Sequence, residues 1–567
     1  MTNRSIIELP TASFVETQLT TLRNPQLEWI CKDNAHLLPA ELACMPMADE
    51  PGYIYNNNRL VSGYAEIYGG AGVGANAGGV RCANLDQCQI KGIGPTTLAG
   101  RSTDKWHRHG ACSIQDAVKE TIFSELFHHA TPYGSARAVA VISIGASFAT
   151  EIGADKLPGS APRALFVREK IVRLAHFMRS SFIDSNSPLR VQELTRMRIC
   201  VPLLVDYLCE DSNEKNFENA SKGIEKIFWR IFQQTIAMRI GRLVHGSMIP
   251  SNFGLDGRLL DFTTSTAIST LQPVVVTLGS ACSQTQHKQV ADSLFDVLFY
   301  ISKFDSRCGV EKSFLDKTHR QIVEKLNSNY NSEILLSHLY LIGLNNQEIT
   351  KISGAASRRL VRAIVNIVLH GSTEGHLYYG GDEHPMLPAT GKNALGAVLI
   401  LTVSGTTGLE WESHREIYDS FSKASLDELR ESYSSVVAEL IAIGSDKKSL
   451  KLAHLVRSLK INFDFSELYR RNIDGKINDV CTKGGNIREF IDSVLSACVN
   501  LVSWFGRDQV FLNGWLTNSD YLLRLNNSVT LDGREVLFAE VVDDIVSDRF
   551  FSQYPWFLKK LRDAQAN

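Results

Sequence analysis

Apolar residues follow two different periods along this chain, and the change falls near its middle. From Ser113 to His129, Ile114, Val118, Ile122 and Leu126 recur at helical spacing, and Ser113 stands where an N-cap belongs, with Asp116 at N3. Ile224 to Leu243 is a second amphipathic segment. Short apolar runs predict strands at Gln87 to Lys91, Ala138 to Ile144 and Ala164 to Val167. Asn252 to Leu255 and Arg258 to Asp261 are strand-like runs joined by Asp256-Gly257, which predicts a tight hairpin with both central residues at positive φ. After Ser265 the helical period dominates, at Lys288–Lys303, Glu311–Leu326, Asn331–Leu341, Asn346–Leu369, Asn393–Leu401, Leu426–Ile443, Leu450–Leu459 and Ile487–Val502. Residues 1–60 are broken by Pro10, Pro25, Pro39, Pro46 and Pro51 and read as short helical and loop pieces wrapping the rest.

At 567 residues the chain is long enough for several domains. The pattern divides it into that N-terminal segment (1–60), a mixed α+β unit (61–305) and a mainly α-helical C-terminal domain (306–567). A net charge of −2 gives no electrostatic footprint for nucleic acid or an anionic membrane surface. The longest apolar run, Leu395 to Val403, is too short to span a bilayer, and the first residues lack the apolar stretch of a signal peptide. Eleven scattered cysteines without a C-x-x-C pair fit reduced thiols, so the expected compartment is the cytoplasm.

The hairpin places Asn252 at the start of one arm and Asp261 at the end of the other. A neutral oxygen and a carboxylate at one mouth suit Mg²⁺ facing a polyphosphate, and they also suit an ordinary surface hairpin. Six glycines from Gly69 to Gly79, among them Gly70, Gly72 and Gly74, let backbone N–H groups approach phosphate oxygens, or form a plain connector. Their spacing matches neither a P-loop nor a clean dinucleotide fingerprint. Lys91 ends its strand where a point charge could reach phosphates, or is an ordinary surface lysine; Glu120 and Glu125 on the following helix are candidates to face it, or are solvated helix carboxylates. Arg168 and Arg173, close to a strand end, suit phosphate, and they also suit an exposed helix. Between His370 and His384, the side chains of His370, Glu374, His376, Asp382 and His384 crowd a glycine-rich loop that suits a metal or polar ligand, or neither.

The order of these signals is that of a protein-kinase-like fold, and residues about 60 to 265 resemble the selenoprotein O (SelO) family of kinase-fold adenylyltransferases. YGGAGVG at Tyr68, IKGIG at Ile90, KETIFSE at Lys119, VRLAHF at Val172 and HGSMIPSN at His245, followed by Asp261-Phe262, are similar to that family's motifs in sequence order. The resemblance implies a two-lobed nucleotide-binding domain that uses ATP and Mg²⁺. It implies that Lys91 and Glu120 form the phosphate-orienting ion pair, that Arg173 and Arg168 clamp phosphates, and that Asn252 and Asp261 hold the metal.

One departure bears on the chemistry. The family's acidic residue before the metal-binding Asn is Ser251 here, and the other kinase position for a catalytic Asp is Ser247. A hydroxyl nucleophile needs a base, whereas a carboxylate is already ionised at neutral pH. This layout resembles the MchC-type maturation proteins of siderophore microcins. Such a protein is expected to activate the C-terminal serine carboxylate of a microcin precursor peptide and join it to a glycosylated enterobactin-type siderophore, together with a toxin-acyltransferase-like partner. Two alternatives stay open: an adenylyltransferase acting on protein hydroxyls, and a non-catalytic pseudokinase-like scaffold.

Overall fold

The computed structural model describes residues 8–47, 50–70, 78–99, 108–152, 157–180, 189–268, 281–369, 421–445 and 465–498, with short pieces at 271, 273–276, 378–379, 399, 402–403, 450, 454, 457–458 and 461–462 and four strands between 509 and 537. It is a mixed α+β protein built on one large antiparallel sheet with a helical C-terminal region.

The sheet contains β1 (Phe14–Leu22), β2 (Gln26–Ile30), β3 (Ala43–Cys44), β4 (Tyr55–Glu66), β5 (Cys82–Leu85), β6 (Cys88–Lys91), β7 (Cys112–Ser113), β8 (Ala138–Ile152) and β9 (Leu157–Glu169). Its order is β2-β8-β9-β6-β5-β4-β1-β3, with β7 also pairing β9. The segment before residue 60, expected as wrapping pieces, therefore supplies four strands: the prolines fall between or at the edges of these runs, where no ladder N–H is lost. The β8–β9 hairpin is far longer than the two apolar runs that announced it, because Gly145, Pro158 and Pro162 interrupt the pattern without ending the pairing.

Helix α1 (Ile114–Ala130) packs on this sheet, and the Ser113 side chain accepts from the Asp116 N–H, as expected from the capping pattern. Next come α2 (Leu189–Leu208), α3 (Phe217–Ile240), α4 (Gln286–Ala291), α5 (Leu294–Phe304), α6 (Lys312–Ser337), α7 (Asn346–Lys351), α8 (Gly354–Leu369), α9 (Lys423–Ala442), α10 (Arg470–Thr482) and α11 (Ile487–Cys498). Two expected helices, Glu311–Leu326 and Asn331–Leu341, are largely one, α6. The polar run from Asn327 to Ser332 is helix surface, and Tyr330 within it is buried. Conversely the stretch 346–369 breaks at Ile352, which is extended, and the Ser353 N–H and hydroxyl bond Glu439 on α9.

One hydrophobic core runs from Trp29 through α1, α3 and α6 to Cys498 on α11. Helices α10 and α11 return to the N-terminal half: Lys119 of α1 pairs with Asp474 at 2.6 Å, and Trp29 of β2 donates to Asp492 at 2.8 Å. Beyond α11, two small antiparallel hairpins (Gln509–Leu512 with Trp515–Asn518, Ser528–Leu531 with Arg534–Leu537) add strand to a region expected to be helical. The loop His370 to His384 lies outside the described residues apart from Tyr378–Tyr379, which pairs in parallel with Val274–Val275. None of the eleven cysteines forms a disulfide. No helix among the described residues is long and apolar enough to cross a membrane.

Candidate functional site

Lys91 is the last residue of β6, and its side chain is directed to α1 by the alternation of the strand. The ammonium contacts the Glu120 carboxylate and lies 2.7 Å from Oδ1 of Asp261. Lys91 and Glu120 are both buried, whereas the Asp261 side chain keeps 35% of its surface, so it is the end of the cluster open to a ligand. Glu125, five residues after Glu120, turns to another face of the helix and pairs with Arg137 at 2.6 Å; the lysine has one glutamate partner.

The Asn252–Asp261 hairpin forms, with a different turn from the expected one. Gly254 N–H donates to Arg258 C=O at 2.8 Å, and Gly257 N–H to Gly254 C=O at 3.1 Å. The loop is therefore three residues long, and Gly257 (φ +94°) carries the left-handed conformation without Asp256. Asp256 instead caps the turn, accepting from the Arg258 N–H at 3.0 Å and pairing with its guanidinium. The left-handed strain falls at Asp261, with φ +69°. Its neighbours hold it there. Leu260 N–H donates to Asn252 C=O at 3.0 Å, and Phe262 is buried against the rings of Phe127 and His245.

His245 fixes the same loop from below. Its Nδ1 accepts from the Ser247 N–H, so Nε2 carries the proton and donates to Leu260 C=O at 3.0 Å. Burial pushes its pKa down to about 4, which keeps the imidazole neutral. Asn252 Nδ2 donates to Ser247 C=O and to its hydroxyl, and Ser251 Oγ donates to Asn252 Oδ1 at 3.3 Å. The two serines where a base was sought thus orient the asparagine.

The arginines join through Gln89, two residues before Lys91 on the same face of β6. Its Oε1 accepts from Arg168 (Nε 3.0 Å, an η nitrogen 2.7 Å) and from Arg173 at 2.7 Å. Arg173 also donates to Ser251 C=O at 3.0 Å, and its guanidinium lies 4.7 Å from the Tyr68 ring centre. Behind them Glu66 accepts from Asn84 at 3.0 Å and Gln89 at 2.8 Å, and faces His176 across 3.3 Å. Burial alone would raise the Glu66 pKa, but His176, Arg173 and Asn84 bring it to about 2. Burial likewise opposes ionisation of Asp261, and is outweighed by Lys91, Arg168 and Arg81, which hold it well below the carboxylate range. Glu120 is raised by burial, against the pull of Lys91.

Gln89, Glu66, His176 and Arg81 are the members of this site that pattern reading missed. The period of two from Lys91 back to Gln89 was the available signal for the first; an arginine closing the glycine run was the signal for Arg81.

Gly69 and Gly70 are placed otherwise than a phosphate loop requires. Their N–H groups donate to Ala175 C=O (2.9 Å) and Arg179 C=O (3.4 Å), and a Cβ at Gly69 would meet the Arg179 backbone at 2.3 Å. Glycine is needed there for close packing of the chain on residues 175–179, and those two amides are already engaged. Gly72 and Gly74 lie outside the described residues.

The donor set suits Mg²⁺ rather than zinc. Among the described residues no group of three or more His, Cys, Asp and Glu converges as a metal site. Asp261 has one oxygen engaged by Lys91 and the other without a protein partner among the described residues, and the Asn252 oxygen stands on the opposite hairpin arm. Few protein ligands, all oxygen, is how Mg²⁺ is held beside a polyphosphate. The remaining buried guanidinium nitrogens face carboxylates beyond hydrogen-bond distance, Arg168 toward Glu120 at 3.6 Å and Arg173 toward Glu66 at 3.8 Å. No protein-family model matches the chain, and no curated protein does.

Proposed function

We propose that residues 61–305 form a kinase-like, SelO-like nucleotide-binding unit, and that the protein uses ATP and Mg²⁺ to activate a carboxylate acceptor. The observation that carries this reading is the Lys91 ammonium held between Glu120 and a strained, partly exposed Asp261. A lysine so placed is fully charged, because burial, which lowers its pKa, is outweighed by the two carboxylates.

Asp261 and Asn252 would hold the ion, which neutralises charge on the transferring phosphates when bound. Lys91, Arg168 and Arg173 orient the phosphate oxygens. The acceptor oxygen forms a new bond to phosphorus as the bond to pyrophosphate or to ADP breaks. Nothing in the loop takes a proton: Ser247 and Ser251 serve Asn252, and Asp256 is tied to Arg258 at the far turn. An acceptor that is already an anion needs none. The resemblance to MchC-type proteins extends this to the precursor's C-terminal serine carboxylate, a glycosylated enterobactin-type siderophore and an acyltransferase-like partner.

The test is incubation with Mg²⁺, ATP and a precursor peptide bearing either a free or an amidated C-terminus, the acyltransferase-like partner present, with mass spectrometry of both peptide and nucleotide. The expected outcome is turnover of the free acid alone, with AMP and pyrophosphate marking adenylation and ADP marking phosphorylation. Equal modification of the amidated peptide would remove the carboxylate reading.

A further inference from the structure

A cavity of ≈ 540 Å³ lies between α3, α6 and α7, among residues the site above does not use. Its walls combine Trp229, Leu336 and Ile349 with the polar groups of Gln233, Asn329 and Glu333, and Asn346 stands at α7. Among the described residues no lysine or arginine lines it. The volume is that of a small-molecule site.

The polar groups are partly set. Tyr133 Oη donates to Gln233 Oε1 at 2.7 Å, and Gln233 Nε2 donates to Glu333 Oε1 at 3.3 Å. The Tyr340 hydroxyl donates to the Asn346 oxygen. This leaves the second Glu333 oxygen and the Asn346 amide nitrogen without protein partners among the described residues, and the exposed Asn329 likewise offers both amide atoms. The next residue, Gln234, donates to Gly134 C=O and Gly257 C=O, so the wall continues into the turn before Asp261.

Ligand classes can be separated by hydrogen-bond inventory. A phosphate or carboxylate only accepts, finds no cation, and meets Glu333. An ammonium only donates and leaves the amide N–H₂ groups unanswered. A ring of hydroxyls both gives and takes, and its C–H face packs on an aromatic plane such as Trp229. From this cavity we infer a second binding site, distinct from the nucleotide site, that takes a neutral saccharide. The inference is independent of the reaction proposed above.

The experiment is ligand-observed NMR on the full chain with glucose, N-acetylglucosamine and maltose as probes, and methylammonium and inorganic phosphate as controls. The expected result is binding of at least one saccharide at millimolar concentration, weakened about tenfold by Asn329→Ala and by Glu333→Ala, the loss of one or two hydrogen bonds. Asn329 is on an exposed helix face, so its variant folds even where one at Glu333 does not. No saccharide bound, saccharide binding indifferent to both variants, or methylammonium bound in place of sugar would each overturn the inference.

Discussion

Two glutamates in opposite halves of the molecule have nearly the same surroundings and sit in very different places. Glu66 faces His176 at 3.3 Å and Arg173 at 3.8 Å; Glu348 faces His454 at 3.3 Å and Arg457 at 2.9 Å. Burial raises both, and the histidine and arginine bring each to about 2. Around Glu348 the network closes. Its carboxylate accepts from the Asn345 N–H in a capping box, Arg457 donates to Gly343 C=O, and His454 is met by the Tyr433 hydroxyl at 3.0 Å. Around Glu66 it stays open, running through Gln89, Arg173 and Arg168 to Lys91 and ending on a half-exposed Asp261 at left-handed φ. A depressed carboxylate is common to a staple and to a site. What separates them is the strained, partly exposed acid at one end.

The sharpest way to break this comparison is Asp261→Ala. Loss of the proposed metal ligand should lower ATP turnover by at least about 100-fold, several kcal/mol of transition-state stabilisation, with the unfolding midpoint close to wild type. Turnover with unchanged Mg²⁺ dependence would make the two networks equivalent. Glu348→Gln should do the reverse. It leaves buried charge unpaired and should cost about 3 kcal/mol in denaturant unfolding, while ATP turnover at permissive temperature stays within about twofold.

A smaller effect tests whether the open network acts as a unit. Lys91→Ala and Glu120→Ala should each slow turnover, and the double variant should lose less than their sum by about 1–2 kcal/mol. Additive losses would mean that the contact is packing alone.

A last effect, read as a slope against pH, concerns a buried imidazole with no carboxylate. His287 stacks on Tyr330 at 3.8 Å, and burial, with Lys288 and Arg239, lowers its pKa to about 4. The unfolded chain takes up the proton near pH 6.5, so between pH 6.5 and 4 it binds more protons than the folded one. Stability is full above 6.5 and falls as pH drops, by up to about 1.4 kcal/mol per pH unit for each such histidine. His287→Phe should flatten the slope of unfolding free energy against pH in that window; an unchanged slope would mean that His287 protonates in place.

Much of the open network was legible because its chemistry is local. The Ser113 cap, the 3.6-residue stripe of α1 and the lysine at a strand end point to Lys91 with Glu120 or Glu125 as its partner, and the resemblance to the SelO family singles out Glu120, the carboxylate that the Lys91 ammonium contacts. The Asn252–Asp261 hairpin was legible through Asp-Gly, although the chain resolved it with a longer loop and moved the strain to Asp261. Glu66 was illegible: nothing around it in sequence tells that a carboxylate closing a mixed polar and apolar strand will find His176, Arg173 and Asn84. The extent of the sheet was hidden likewise, since prolines and glycines that end a strand in isolation are tolerated where a partner strand holds the register.

The return of α10 and α11 onto α1 sets an order of events in synthesis. Ile473, Ile477, Ile491 and Val494 belong to the same core as α1, and the Lys119–Asp474 and Trp29–Asp492 contacts close loops of 355 and 463 residues. Such closures come late and slow folding. While the chain emerges, the helix carrying Glu120 stays bare along one flank until residues 470–498 leave the ribosome. The nascent protein therefore exposes an apolar face until that segment emerges, and Lys91 gains a fully packed partner helix only then.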